Sequence, residues 1–233
     1  MPADSPPKAD SPQTVEQLVA AIRGKDENAR TAAWYAAGPV GAAGVGPLAA
    51  LMGDADREVA RAGRNGLLRI VRHAGRDGAQ AQRQAVEAQL LAVLKSGAPA
   101  GGGAAGGAAA GGGGAAGGGG ASGGGAAGGE KAMSPACRSH ILWMLSEAGS
   151  DACVPAVAAW LADKDCREAA RAALERIGTR PALAALKAAL VTAEEDYKPA
   201  LAASLRACGQ AVDGVPCVKL TPCRETAVKE VQK

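Results

Sequence analysis

Apolar residues recur along this chain at the spacing of one helix face, in short runs divided by acidic or glycine-marked turns. In the first run Val15, Leu18, Val19 and Ile22 occupy positions i, i+3, i+4 and i+7, the stripe of an amphipathic helix. Val154, Val157 and Leu161 repeat the pattern, as do Leu183, Leu186 and Leu190, and Leu201, Leu205 and Cys208. Start signals sit where such helices need them. Thr14 with Gln17 forms a capping box, and Ser134 precedes Pro135. Pro155 and Pro181 each open an apolar run, which suits a residue whose missing N–H would lack a partner in the first turn.

The runs come in pairs at a regular interval. Gly149, Gly178 and Gly209, each ending a second helix, are 29 and 31 residues apart. The acidic turns at Asp165 and Asp196 are 31 apart, and those at Asp26 and Asp56 are 30 apart. Pro47 stands in the first half where Pro155 and Pro181 stand in the second. A two-helix unit of this size cannot cover its own apolar stripes, and stacking units side by side joins the stripes into one core. The pattern predicts an all-α chain of about five helix-turn-helix units.

One segment breaks the rhythm. Residues 97–129 hold 19 Gly and 12 Ala among 33 residues. "QRQAVEAQLLAVLKSG" before it has Val86, Leu90, Val93 and Leu94 on one face and reads as a first helix; its second helix, "SPACRSHILWMLSEAG", comes only after it. The tract therefore falls in the turn of the third unit. A Gly-rich coil of this length spans roughly 30 Å, well beyond the ~10 Å between packed helices. Its closure costs about 1–2 kcal/mol more than a short turn. The expected layout is a disordered arm over 1–13, two units and the first helix of a third over 14–96, a disordered insertion over 97–129, the remaining helices over 130–210, and a capping tail over 211–233. In that tail Thr221–Pro222 starts a short helix carrying Cys223, Ala227 and Val231.

Composition narrows the class. Phe is absent, Tyr occurs twice and Trp three times, so an Ala-, Leu- and Val-rich core suits helix-on-helix packing rather than a sheet. The net charge of +3 names no partner. "MPADSPPKADSPQ" lacks an apolar h-region and reads as an arm rather than a signal peptide, and no strongly apolar run of membrane-spanning length is present. The expected setting is cytoplasmic, with the six cysteines as free thiols.

"VPAVAAWLADKDCREAARAALERIG" and "VGPLAALMGDADREVARAG" resemble the HEAT-like repeats labelled after phycobilisome lyases. That pattern has a first helix xxPxLxxLL, an acid-bearing turn and a second helix R-x-A-A-x-x-A-L-x-x-I/L-G. The resemblance covers roughly residues 14–210 outside the tract and implies an α-solenoid whose second helices line a concave surface. Gly63 and Gly66 inside a second helix, and Pro199 near the start of another, depart from it. HEAT-like deoxyhypusine hydroxylases hold paired metals with His-Glu dipeptides, and this chain has no His-Glu dipeptide. Helical-repeat DNA glycosylases use Trp, Asp and Arg in a cleft, and no specific motif carries over.

Candidate chemistry gathers on the second unit. Arg57, Arg61, Arg64, Arg69, Arg72 and Arg76 lie within residues 57–76 against Glu58 alone. On a helical wheel Arg57, Arg61, Arg64 and Arg72 fall within about 80° of one another, opposite Val59, Gly63, Gly66, Leu67 and Ile70. Such a face offers guanidinium forks to carboxylates or phosphates; the plain alternative is a solvated face paired in part with Asp54, Asp56 and Asp77. Trp34 is a candidate aromatic anchor beside it, although Trp34–Tyr35 and Trp143 lie among apolar positions and fit packing. Cys137 and His140 form a lone C-x-x-H. A tetrahedral zinc needs four converging ligands, so the cysteines read as small buried apolar residues. For Cys166, at a helix start beside Lys164 and Arg167, a lowered thiol pKa is the lesser alternative to that reading, since Asp163 and Asp165 oppose it.

The expected function is a non-catalytic scaffold or adaptor binding a protein partner through Arg61, Arg64, Arg72 and Trp34, with no metal, cofactor or membrane. Two other classes stand beside it: a bilin-lyase-like enzyme or accessory protein, implied by the resemblance, and a nucleic-acid-binding helical repeat. The latter is less favoured because the arginines lack interleaved aromatics.

Overall fold

The acidic turns turn out to be helix starts. The Asp26 carboxylate accepts the backbone N–H groups of Asn28 and Ala29 at 2.9 and 3.2 Å, and Asp56 accepts those of Glu58 and Val59 at 2.8 and 3.4 Å. Asp163 accepts from Asp165 and Cys166 at 3.0 and 2.9 Å just before the next second helix. The first N–H groups of a helix have no internal acceptor, and a carboxylate there satisfies them. In the first half the acid spacing of thirty residues is thus a spacing of caps, whereas the second helices starting at Arg167 and Lys198 have no side-chain cap. The Thr14–Gln17 capping box and the Ser134 cap ahead of Pro135 are both formed.

The computed structural model describes residues 14–96 and 133–217. Among the described residues the chain is helical throughout, without strands. The α-helices are α1 (Val15–Arg23), α2 (Glu27–Tyr35), α3 (Val45–Leu51), α4 (Arg57–Ala74), α5 (Gln80–Ser96), α6 (Pro135–Ala148), α7 (Val154–Ala158), α8 (Arg167–Ile177), α9 (Arg180–Thr192) and α10 (Lys198–Ala207). Short 3-10 segments cover Gly38–Gly44, Asp151–Cys153 and Ala159–Ala162. The run opened by Pro155 is therefore less regular than its periodicity predicts: it tightens from α to 3-10 winding where its two largest side chains, Trp160 and Leu161, both turn inward. The expected arm over 1–13, the tract over 97–129 and the tail helix beginning at Thr221–Pro222 lie outside the described residues.

The helices pack as α1 on α2, α3 on α4, α5 on α6, α7 on α8 and α9 on α10. The second members also meet in succession, α2 with α4, α4 with α6, α6 with α8 and α8 with α10; among the first members α1 meets α3, α3 meets α5 and α7 meets α9. One cluster of buried side chains runs from Leu18 in α1 to Leu205 in α10. Val86, Leu90 and Leu94 of α5, and Ile141, Leu142 and Leu145 of α6, belong to it and are essentially inaccessible to water. Each such side chain contributes about 1.5–3 kcal/mol on burial, so the two sides of the Gly/Ala tract share a core.

One detail tightens a pair and another joins two neighbouring pairs. Gly63 and Gly66 let α3 lie close on α4: a Cβ at Gly63 would stand 2.7 Å from Leu51 Cβ and 3.0 Å from the Leu48 carbonyl oxygen. These glycines answer a packing requirement of the second pair. Between the third and fourth pairs, Glu87 of α5 is buried, and its Oε1 accepts both the N–H and the hydroxyl of Ser150, each at 2.9 Å.

Candidate functional site

α4 buries Val59, Ala62, Gly63, Gly66, Leu67 and Ile70 and turns its arginines away from them. Arg57, Arg61 and Arg72 are exposed, and Arg64 is half-buried. Their partners differ from those expected of a charged surface helix. Asp54 pairs with Arg23 of α1 at 3.2 Å, Asp56 is spent on capping, and Asp77 forms no ion pair among the described residues. Arg61 instead pairs with Glu58 one turn earlier, and Arg72 reaches Glu147 of α6 at 3.9 Å. Arg57 and Arg64 make no ion pair with any described carboxylate.

Arg57, Arg61 and Arg64 line one cleft of ≈ 410 Å³, closed on the far side by the first turns of α6, including Ser134, Cys137 and His140. Arg64 Nη1 lies 3.5 Å from His140 Nε2. Burial, with Arg64 beside it, pulls the His140 pKa below its ordinary value, and the neutral ring accepts through Nε2 when its proton sits on Nδ1. Cys137 Sγ–H points to the Met52 carbonyl at 3.3 Å. The two residues of the C-x-x-H thus face different neighbours, and no group of three or more His, Cys, Asp and Glu side chains converges as a metal site among the described residues.

Trp34 lies beside this face and is partly buried. Its ring stacks on Tyr35 with centroids 4.0 Å apart, and the Arg69 guanidinium sits over both rings, at 5.6 Å from Trp34 and 4.5 Å from Tyr35. In the second half Arg176 of α8 lies over Trp143 of α6 at 5.9 Å. Each contact joins one second helix to the next, and each adds a cation–π attraction to the apolar packing. Of the four predicted partner-binding residues, the structure places Arg61 and Arg64 in one cleft, Arg72 further along α4 beside Glu147, and Trp34 beneath Arg69.

The same region of α8 is built otherwise. Arg171 bonds Glu168 at 2.9 Å and Glu175 at 3.1 Å, and also donates to the Ser204 hydroxyl, which donates to Glu175 at 2.6 Å. Arg167 bonds Glu194 at 3.2 Å and Asp196 at 3.0 Å and lies over the Tyr197 ring. Matching buried positions, Val59 with Cys166, Gly63 with Ala170 and Leu67 with Leu174, sets Arg64 against Arg171. In that register Arg61 replaces Glu168, and Leu68 replaces Glu175.

Cys166 is the small buried residue of the favoured reading, and the alternative of a lowered thiol pKa does not hold. The thiol is buried and its pKa is raised, because desolvation outweighs the nearby Arg138 and Ser139, with Asp163 adding to the rise. Cys153 is likewise buried and pushed up to about 11, by desolvation first and then by Glu87. Sequence reasoning also missed Arg138, buried and stacked at 4.3 Å over Trp160, and Glu147, which lies within 3.9 Å of Arg72 and 3.7 Å of Arg176. The signal for Glu147 was its place as the one acid on α6, in the last turn of a helix between two arginine-bearing neighbours. No helix among the described residues is long and apolar enough to cross a membrane. No family model matches the chain, and a search of curated proteins found no match.

Proposed function

We propose that the protein is a non-catalytic α-solenoid of HEAT-like units that binds a protein partner on the layer made by its second helices. The paired helices and the unbroken α2–α4–α6–α8–α10 succession support the solenoid reading. The observation that carries the binding reading is the state of α4: its exposed face holds arginines with too few acids to neutralise them, while α8 neutralises its own. Arg61 and Arg64 are the central contacts, and Arg72 and Trp34 flank them.

A photo-crosslinking amino acid installed at position 61, and separately at the exposed Val191 of α9, tests this in extract from the native cell. Crosslinks to a discrete polypeptide from position 61 and not from 191 are expected, and an Arg61→Ala/Arg64→Ala/Arg72→Ala protein should lose that partner in affinity capture. Equal crosslinking from both faces, or capture that the triple variant leaves intact, defeats the reading.

A further inference from the structure

We infer that the cleft between the first half of α4 and the start of α6 receives an oxyanion carried on a peptide segment, a carboxylate or a phosphorylated side chain; this rests on the protein-binding reading above. The cleft sets three guanidinium groups, from Arg57, Arg61 and Arg64, against one carboxylate, Glu58, already engaged by Arg61. Its volume of ≈ 410 Å³ admits a side chain and its terminal anion. Guanidinium forks match the paired oxygens of carboxylate and phosphate, and a half-buried one such as Arg64 is less screened by water than one on an open surface.

The molecule supplies its own control for this assignment. Arg171 holds the place in α8 that Arg64 holds in α4, and it is already saturated by Glu168, Glu175 and Ser204. At Arg64 both acids are missing, replaced by Arg61 and Leu68, and the one side chain facing its guanidinium is a neutral imidazole. An incoming anion there meets donors that no internal acid has claimed. The α6 helix adds to the attraction, since its N-terminal turn, where Ser134 and Ala136 line the cleft, carries the positive end of the helix dipole. A nucleic-acid backbone is the poorer fit. Duplex DNA presents a charge about every 1.7 Å and needs a basic track, whereas here Glu147, Glu168 and Glu175 interrupt the positive surface beyond α4.

The test is titration of the full chain, followed through the arginine side-chain and histidine ring NMR signals. The probes are three heptapeptides with phosphoserine, glutamate or serine at the centre of a Gly-spaced frame, and a short DNA duplex. Saturable shifts at Arg57, Arg64 and His140 are expected with the phosphoserine and glutamate peptides, with binding of the serine peptide at least tenfold weaker; the stronger of the two charged probes tells phosphate from carboxylate. Arg61→Glu, which gives α4 the acid that α8 has at Glu168, should weaken binding at least tenfold with its helical spectrum and melting curve unchanged. Lys187→Gln on α9 should have no effect. Equal response to the serine peptide, shifts spread evenly over all arginines, undiminished binding by Arg61→Glu, or tighter binding of the duplex at the same residues each overturns the inference. A partner that still crosslinks to position 61 in an Arg57→Gln/Arg64→Gln background leaves the protein-binding reading standing and sinks only the oxyanion assignment. Loss of crosslinking in every background sinks the broader reading instead.

Discussion

Helices α4 and α8 each pack against their partner and against the second helices on either side, and Gly63, Gly66 and Leu67 are buried in one as Ala170, Ala173 and Leu174 are in the other. Their outward sides have little in common. Around Arg171 the chain supplies Glu168 one turn before, Glu175 one turn after, and Ser204 from α10; around Arg64 it supplies Arg61, Leu68 and a neutral His140. The lesson is that core register and surface electrostatics vary independently between these two helices. Packing depends on which side chains recur every three or four residues, whereas charge balance depends on residues between them that packing does not constrain. Internal neutralisation in one unit therefore serves as a baseline for its absence in another.

The largest expected effect tests the shared part. Leu67→Ala and Leu174→Ala remove equivalent, fully buried side chains, and each should cost about 2–5 kcal/mol in urea denaturation. Both variants should unfold in a single transition that moves as a whole. Separate melting of one half in either variant would mean that α4 and α8 do not belong to the same core.

Next comes the position where the two helices differ inside the core. Gly63→Ala forces a Cβ to 2.7 Å from Leu51 Cβ; overpacking of this kind costs about 1–3 kcal/mol, against a gain of about 1 kcal/mol in helix propensity. A net loss of stability by thermal melting is expected. At the matching site, Ala170→Gly should destabilise by about 0.5–1 kcal/mol through propensity and by about 0.8 kcal/mol more through the buried methyl it removes. A stabilised Gly63→Ala protein would show that α3 is free to withdraw from α4.

Alkaline pH separates the two halves by a smaller amount. Cys153 is raised from 9.0 to about 11 and Tyr197 from 10.0 to about 12, both chiefly by desolvation. Groups raised in the folded state support stability fully below their unfolded pKa and withdraw it as pH climbs to the folded one. The contribution of Cys153 is lost between pH 9.0 and about 11, and that of Tyr197 between 10.0 and about 12. Tyr197 also donates to the Arg167 carbonyl at 2.7 Å, so ionising it loosens α8 against α10. Hydrogen exchange at pH 10 should accelerate over α8–α10 before α2–α4, and Cys153→Ala should delay the change. Uniform acceleration would contradict the assignment.

The smallest effect is electrostatic. Glu175→Gln keeps the shape but removes a partly exposed charge from Arg171, a loss of about 0.5–1 kcal/mol. Its sharper readout is function: combined with Glu168→Arg it should give α8 some of the anion binding expected of α4, seen as new shifts at Arg171 with the phosphoserine peptide.

Much of this architecture can be read in one dimension because its causes are local. The stripes of Leu18 and Ile22, or of Val86, Leu90 and Leu94, are visible as helical spacing, and Asp26 and Asp56 mark turns because each caps the start of a second helix, while Asp163 closes the turn just before one. Other features needed a neighbour to explain them. Gly63 and Gly66 look like defects in a helix until Leu48 and Leu51 of α3 are set against them. The helical wheel grouped Arg57, Arg61 and Arg64, yet it assigned their counter-ions to nearby acids, since sequence distance was the only guide. Only Glu58 beside Arg61 is such a local partner; His140 beside Arg64 and Glu147 beside Arg72 come from α6 beyond the tract, and no local pattern encodes such a pairing. At Cys166 the reading as a small buried residue holds, and that burial raises a thiol whose charged sequence neighbours alone pull in opposite directions.

The pairing of α5 with α6 makes the chain a ready-made split protein. A polypeptide ending at residue 96 carries Leu90 and Leu94 without their cover and Glu87 without its donors; one beginning at 133 carries Ile141 and Leu145, together with Ser150 to cap that acid. Made separately, the two pieces hold matching halves of one interface, so reassembly in trans would need no covalent joint, and fusing each piece to a different bait would turn the fold into a reporter of proximity.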